Sequence, residues 1–287
     1  SSDLGSHLYQ HQKEGGILSW EYSGNMQHIL FTDVDRTLLT HRYEVLPQIK
    51  RAFALAREAA LKIVFVTARA PGSLQPIATS LGNMGLCCCF GGGWIGDLGS
   101  RQVEDVHRLP METALSIMQM AQAAGALPVW YDVQDVYAPT INDVVERQLG
   151  NVGERAVPFS NVPALLPPMK IMVIDKRHDS VLKAIAADVA HGATVSFSHP
   201  HLLEVGPKTV DKGTGLRRIV SLMDPPGVIS HAAGDAQNDI PLISAAKHRY
   251  TVANGIPELK EMSEFVGRSC NEAGLADVID YITAHHM

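Results

Sequence analysis

Between His28 and Phe90 the sequence alternates short apolar runs with helix-spaced stripes, and this rhythm restricts the chain to few architectures. The run His28-Ile-Leu-Phe-Thr is of strand length and leads into a carboxylate, Asp33. After Pro47, residues Ile49, Phe53, Ala56 and Ala60 recur at helical spacing. Leu61 to Thr67 is a second run, rich in β-branched residues. Ala70 to Leu81 fits a helix with Pro71 in its first turn, where the missing N–H costs nothing. Leu86 to Phe90 reads as a third strand. Strand, helix, strand, helix, strand predicts an α/β fold on a doubly wound parallel sheet. Such a sheet binds its ligand beyond the carboxyl ends of its strands. Asp33 and Thr67 both fall at strand ends, so the pattern alone places them in one crevice.

The middle of the chain breaks this rhythm. A helix is expected near Met111 to Ala124, then strands over Pro128–Asp132, Asp135–Ala138 and Lys170–Asp175. A helix over Ser180–Ala190 follows, and His201–Val205 is expected to pair with Ala193–Ser198. The doubly wound pattern then returns: a helix from Lys212, a strand ending at Gly234, a helix from Asp239, a strand near Tyr250 and a closing helix from Glu272. The expected organisation is an N-terminal extension over residues 1–27, a core over 28–96 and 205–287, and an inserted α+β cap over 97–204. The length of 287 residues and a hydrophobic content of 46% suffice for two such units.

Charge narrows the function. The net charge of -6 is mild, and no basic cluster suited to nucleic acid is present. No apolar run approaches bilayer length, and the first residues lack signal-peptide order, so a cytoplasmic protein without membrane contact is expected. Cys87, Cys88 and Cys89 are adjacent on an expected strand, where neighbours face opposite sides. They read as small buried hydrophobes and not as a metal site.

Chemistry concentrates in four segments. Asp33-Val-Asp35-Arg-Thr37 sets two carboxylates just past an apolar strand, where they repel unless a cation lies between them. Mg²⁺ suits such a site, because it takes one or two carboxylates plus a phosphate oxygen. One Asp can attack phosphorus while the other moves protons. Gly234-Asp235-Ala-Gln-Asn238-Asp239 again follows an apolar strand and opens a helix; its acids suit a metal, and helix capping is the plainer alternative. Thr67 and the backbone at Ala68 precede a helix, where a hydroxyl and N–H groups bind phosphate oxygens. Lys212 stands at a helix start, against the dipole; a solvated lysine is the commoner outcome there, and an anion to neutralise would explain its placement.

Together these segments resemble the haloacid dehalogenase superfamily of phosphatases, in its Cof-like, sucrose-phosphatase-like branch with a type IIB cap. The motif Asp-x-Asp-x-Thr is met by Asp33, Asp35 and Thr37, the strand-terminal Thr by Thr67, the Lys by Lys212, and Gly-Asp-x-x-Asn-Asp by Gly234, Asp235, Asn238 and Asp239. The resemblance runs from about residue 27 to the C-terminus and includes Val252-Ala-Asn-Gly-Ile-Pro. It implies Asp33 as the nucleophile that forms an aspartyl-phosphate, and Asp35 as general acid and base. It implies Mg²⁺ held by Asp33, Asp35 (through its backbone carbonyl) and Asp235, with Asp239 supporting. Thr67, Ala68, Lys212 and Asn238 would hold the phosphoryl group. The implied substrate is a small phosphorylated metabolite, by default a sugar phosphate, for a monomer or homodimer. Arg36 departs from the Gly usual in that branch. Trp130, Tyr131, Asp132, Tyr137, His199 and His201 are candidate cap contacts, and the plainer reading, favoured for each singly, makes the aromatics cap core and the histidines solvated turn residues. A phosphomutase and a catalytically silent metabolite-binding homologue remain open at this point.

Overall fold

The computed structural model describes residues 26–159, 166–177, 179–223 and 227–287. Residues 1–25 of the expected extension lie outside these. The first sheet holds eight strands: β1 (Gln27–Thr32), β2 (Lys62–Val66), β3 (Leu86–Cys89), β4 (Trp94–Asp97), β5 (Val103–Val106), and, far along the chain, β12 (Val228–Gly234), β13 (His248–Val252) and β14 (Phe265–Gly267). Their order is β14-β13-β12-β1-β2-β3-β4-β5. The pairs from β14 to β3 are parallel, and β4 and β5 are added antiparallel.

Both faces are covered at the centre of this sheet, which is why Ile29–Phe31, Ile63–Val66 and Leu86–Cys89 are unbroken apolar runs. One face packs Leu30, Phe65, Cys87 and Cys89 against Phe53 and Ile279, from the helices Pro47–Glu58 and Gly274–His285. The other packs Ile29, Phe31, Val64 and Cys88 against Leu216 and Leu242, from the helices Lys212–Leu222 and Ile240–Ala245. Each fully buried Phe or Ile here contributes about 1.5–3 kcal/mol of transfer free energy. The three adjacent cysteines split between the two faces as strand geometry demands.

Register aligns the strand ends. Thr32 of β1 sits opposite both Ala233 of β12 and Phe65 of β2. The residues that follow, Asp33, Gly234-Asp235 and Thr67, therefore emerge along one carboxyl edge.

The sequence pattern assigns residues 97–106 to the insertion; they instead complete the first sheet. Gly96 permits this, because a Cβ there would lie 2.5 Å from the Trp94 ring and 2.7 Å from the Gln102 carbonyl. The β4–β5 hairpin closes over that gap. The second sheet holds β6 (Leu127–Tyr131), β7 (Val136–Ala138), β8 (Ala156–Pro158), β9 (Lys170–Ile174), β10 (Ala193–His199) and β11 (Leu202–Pro207), in the order β10-β11-β9-β6-β7-β8. It is antiparallel except for β7–β8. The expected pairing of Ala193–Ser198 with His201–Val205 is present as β10–β11. The helices Met111–Ala123 and Asp179–Val189 cover one face of this sheet, with Trp130 in the core between. The helix Asp143–Gly150 was not expected from the pattern; Asn142 caps it through its side-chain oxygen. No helix among the described residues is long and apolar enough to cross a membrane.

Candidate active site

Asp33 follows β1 directly, and its N–H donates to the Ala233 carbonyl (2.9 Å), so its backbone is fixed by β12. Asp235 and Asp239 come from the turn after β12. Gly234 makes that turn possible, since a Cβ there would lie 2.5 Å from the Asp239 carboxyl carbon. The Asp239 carboxylate folds back: its Oδ2 accepts from the N–H groups of Asp235 and Ala236, both at 2.9 Å. Carboxylate oxygens of Asp33, Asp235 and Asp239 all lie within 4.8 Å of one another, and all three residues are buried.

Lys212 enters this group from the first turn of its helix. Its Nζ donates to Asp33 Oδ1 and Asp239 Oδ1, each at 2.5 Å. The Asp211 side chain caps that helix by accepting from the Thr214 N–H, which fixes the lysine's origin. Thr37 Oγ1 donates to Asp235 Oδ1 at 3.0 Å. Asn254, in the loop after β13, donates to the Arg36 carbonyl at 2.8 Å and lies 3.5 Å from Asp235 Oδ2. Its own Oδ1 accepts from the Cys270 N–H.

One ammonium among three buried carboxylates leaves an excess of negative charge. Burial pushes Asp33 well above the usual carboxylate range; Lys212 opposes this, and Asp239, Asp235 and Asp35 add to it. Burial and then Asp239 push Asp235 up to about 7, against the Thr37 hydrogen bond and Lys212. Burial disfavours the Lys212 charge, but Asp239 and Asp33 outweigh it and raise its pKa. The cluster therefore has the electrostatics of a site short of positive charge. Its donors are all oxygen, the set that hard divalent cations such as Mg²⁺ take.

Asp35 is not in this cluster. Its carboxylate is gripped by Arg69, with Nε to Oδ2 at 2.9 Å and Nη2 to Oδ1 at 2.6 Å. Arg69 is buried, and its Nη1 also reaches the carbonyls of Ser73 and Val152, both at 3.4 Å. Thr67 is buried, and its Oγ1 accepts from the Arg69 N–H at 3.2 Å. Ala68 lines the cavity, and its carbonyl accepts from Lys170 Nζ at 3.0 Å. Asn238 lines it as well.

The cavity has a volume of about 410 Å³ and touches Asp33, Asp35, Lys212 and Asp235. Its far wall includes Gln148, Asn151, Lys176, Ser198, His201 and Glu204, from the second sheet and its connections. Of the six cap candidates, His201 lines this wall. Trp130 is fully buried in the core under the helices, and Tyr131 donates to Glu154 (3.1 Å) beneath Lys170. Asp132 pairs with Arg108 at 2.7 Å, and Tyr137 packs on Phe159. The His199 side chain lies outside the described structure. Arg69 and Asn254 are site residues to which sequence reasoning gave no role. Asn254 stands at the end of the strand next to β12, so the strand-end rule applied once more would have found it.

A parallel sheet with clustered carboxylates and a lysine at its carboxyl edge, facing a polar cavity, has the form of an α/β enzyme site. The chain belongs to the haloacid dehalogenase-like hydrolase family, whose model matches residues 30–279. Among curated relatives, the candidate phosphatase YxeH of Bacillus subtilis is 26% identical over 264 residues, spanning 88% of this chain and 97% of that protein. Among solved structures, a haloacid dehalogenase-like hydrolase from Bacteroides thetaiotaomicron aligns with a TM-score of 0.81 at 19% identity, over 89% of this chain and 99% of that one. The subclass IIB sugar phosphatase BT4131 aligns with a TM-score of 0.77 at 15% identity, over 89% of this chain and 98% of that one. The chain is a phosphatase of this family.

Proposed function

We propose that the protein hydrolyses the phosphomonoester of a small metabolite, a sugar phosphate by preference, with Asp33 as nucleophile and Mg²⁺ as cofactor. The observation that carries this is the buried group of Asp33, Asp235 and Asp239 around Lys212, open to one polar cavity. Asp33, Asp235 and the backbone of Asp35 would hold Mg²⁺, with Asp239 as support. Asp239 suits a supporting role, because two N–H groups and an ammonium already occupy its oxygens. The bound cation would screen the repulsion between a carboxylate and an incoming phosphate.

Asp33 attacks phosphorus in line with the leaving oxygen, and an aspartyl-phosphate forms as the ester bond breaks. Arg69 holds both Asp35 oxygens in the structure, so Asp35 must leave that pair and take up a proton before it acts as the acid. It then gives this proton to the leaving alkoxide and takes one from the water that attacks phosphorus, as the bond from phosphorus to Asp33 breaks and phosphate is released. Lys212, Thr67, Asn238 and the N–H groups near Ala68 receive the phosphoryl oxygens, where charge spreads in the transition state. The second sheet with its helices acts as the cap. A cavity of about 410 Å³ falls in the range of small-molecule sites, and Gln148, Asn151, Ser198 and Glu204 offer partners for hydroxyl groups. Phosphate release from a generic aryl phosphate, then from a panel of sugar phosphates, tests the reading. Release should require a divalent cation and vanish in Asp33→Asn. Undiminished turnover in that variant, or after thorough chelation, refutes it.

A further inference from the structure

At the opposite edge of the same sheet, four imidazoles crowd together. His28 opens β1, His231 lies within β12, His248 opens β13, and His286 closes the last helix. Their ring centroids are 5.2 Å apart for His28–His231, 4.9 Å for His231–His248, and 4.1 Å for His248–His286. Five residues of β1 at about 3.3 Å each separate His28 from Asp33, so this cluster is roughly 16 Å from the catalytic edge.

Two of the rings are already committed. His231 bonds His28 at 2.9 Å through one nitrogen and the Tyr250 hydroxyl at 3.0 Å through the other. The other two flank a carboxylate. His248 Nδ1 lies 3.1 Å and His286 Nε2 lies 4.0 Å from Glu264 Oε2. His286 Nε2 is buried without a hydrogen-bond partner, an unusual position for a polar atom. Ligand atoms of His248, Glu264 and His286 all lie within 4.8 Å of one another.

We propose that His248, Glu264 and His286 bind a zinc ion that ties the C-terminal helix to the edge of the sheet. Tetrahedral zinc with bonds near 2.0–2.1 Å sets its ligand atoms about 3.3 Å apart, so side-chain shifts below 1 Å would complete the site. Two imidazole nitrogens and one carboxylate select Zn²⁺ over Mg²⁺, which prefers oxygen throughout. The carbonyl end of the helix Gly274–His285 carries negative potential toward His286 and favours a cation there. Lys247 is nearby and opposes it, and the Glu264 charge compensates. Glu264 is 40% exposed, which leaves room for water as the fourth ligand. His285 is engaged elsewhere, bonding the Tyr281 carbonyl at 2.9 Å.

The test is calorimetric titration of the full chain with Zn²⁺ in excess Mg²⁺. Wild type should take up one equivalent, and Asp33→Asn/Asp235→Asn, which disables the catalytic cluster, should retain it. His286→Gln and Glu264→Gln should each weaken uptake tenfold or more, with phosphate release in Mg²⁺ unchanged. At Zn²⁺ about 100-fold above Kd, the wild-type Tm should rise by roughly 5–10 °C, and His286→Gln should show no rise. Should either variant fold poorly, Co²⁺ added to wild type supplies a second readout: intense visible bands of tetrahedral cobalt with nitrogen ligands support the site. Their absence overturns it, as does zinc uptake that survives His286→Gln but is lost with the catalytic carboxylates.

Discussion

Replacing Lys212 with Met keeps an unbranched side chain, one atom shorter, and removes the ammonium that, among the described residues, pairs with both Asp33 and Asp239. The Lys212 side chain is 3% exposed and its ammonium makes two contacts of 2.5 Å, so solvent screens little of what is lost. Breaking a buried pair by deleting one partner costs about 3–5 kcal/mol, because the other charge stays buried and uncompensated. Two charge-assisted hydrogen bonds at about 1.5–3 kcal/mol each give a similar figure. Protonation limits the cost: Asp33 already lies well above its usual range, and without Lys212 it moves further up. The variant then takes up a proton on folding, so its deficit should be smaller at pH 5.5 than at pH 8. Urea unfolding in chelator, followed by circular dichroism at both pH values, measures this. Mg²⁺ should restore part of the stability, since it supplies the missing positive charge. Lys212→Met/Asp239→Asn should be less destabilised than the sum of the single variants, by about 1–3 kcal/mol. Activity in Mg²⁺ should fall about 10²–10³-fold, as when a preorganised donor is removed. A variant within about 0.5 kcal/mol of wild type at pH 8, or additive single losses, would refute the account of Lys212 as the cluster's electrostatic keystone.

Arg36 has φ +62, a left-handed conformation that costs a residue with a Cβ about 1–2 kcal/mol. Arg36→Gly should therefore be neutral or gain up to about 1 kcal/mol, whereas Arg36→Val should lose about 1–2 kcal/mol; equal effects in thermal unfolding would exclude backbone strain. Burial pushes Cys88 up to about 12, and Cys87 and Cys89 are as deeply buried. Iodoacetamide at pH 8 should leave all three unmodified in the native protein and label them in urea, read by mass spectrometry; rapid native labelling would contradict the packing. Burial, with His248, His28, His286 and Lys247 around it, pushes His231 down to about 3. A lowered folded pKa gives stability that is complete above the unfolded value near 6.5 and lost as pH falls toward 3. In chelator at pH 5.5, His231 alone should account for a loss of about 1 kcal/mol, and His231→Gln should flatten that slope in urea titrations.

The carboxylate edge was legible because parallel strands expose their carboxyl ends together, so Asp33 and Thr67 could be assigned to one edge before any coordinates. In the structure Asp33 and Asp235 line the cavity there, while Thr67 is fully buried. Arg36 was legible as a departure, and the left-handed φ explains why Gly is the easier residue there. The grip of Arg69 on Asp35 was not legible: the two residues are 34 apart, and an Arg after a strand-terminal Thr has no periodicity that states its partner. The three-residue strands β8 and β14 are too short to show alternation, and the β4–β5 hairpin was hidden by glycines that elsewhere signal a turn.

The plainer reading of Trp130 and Tyr131, as cap core, holds for a reason that applies beyond this chain. Aromatic residues attract attention as ligand contacts, but on β6 the period of two decides their fate. Trp130 points to the helices Met111–Ala123 and Asp179–Val189, while Val129 and Tyr131 pack on the other face with Phe90 and Met169. A central strand with both faces covered has no side chain left for a substrate. The residues that do face the cavity, such as Gln148, Asn151 and Lys176, sit where chain leaves a helix or strand, and they are polar types that solvent alone would explain. On the proposed function, selectivity in this cap would rest on residues without a one-dimensional signature. Only the second sheet's position over the carboxyl edge of the first singles them out, through the ties from Lys170 to Ala68, from Arg69 to Val152, and from Ser73 to Glu154.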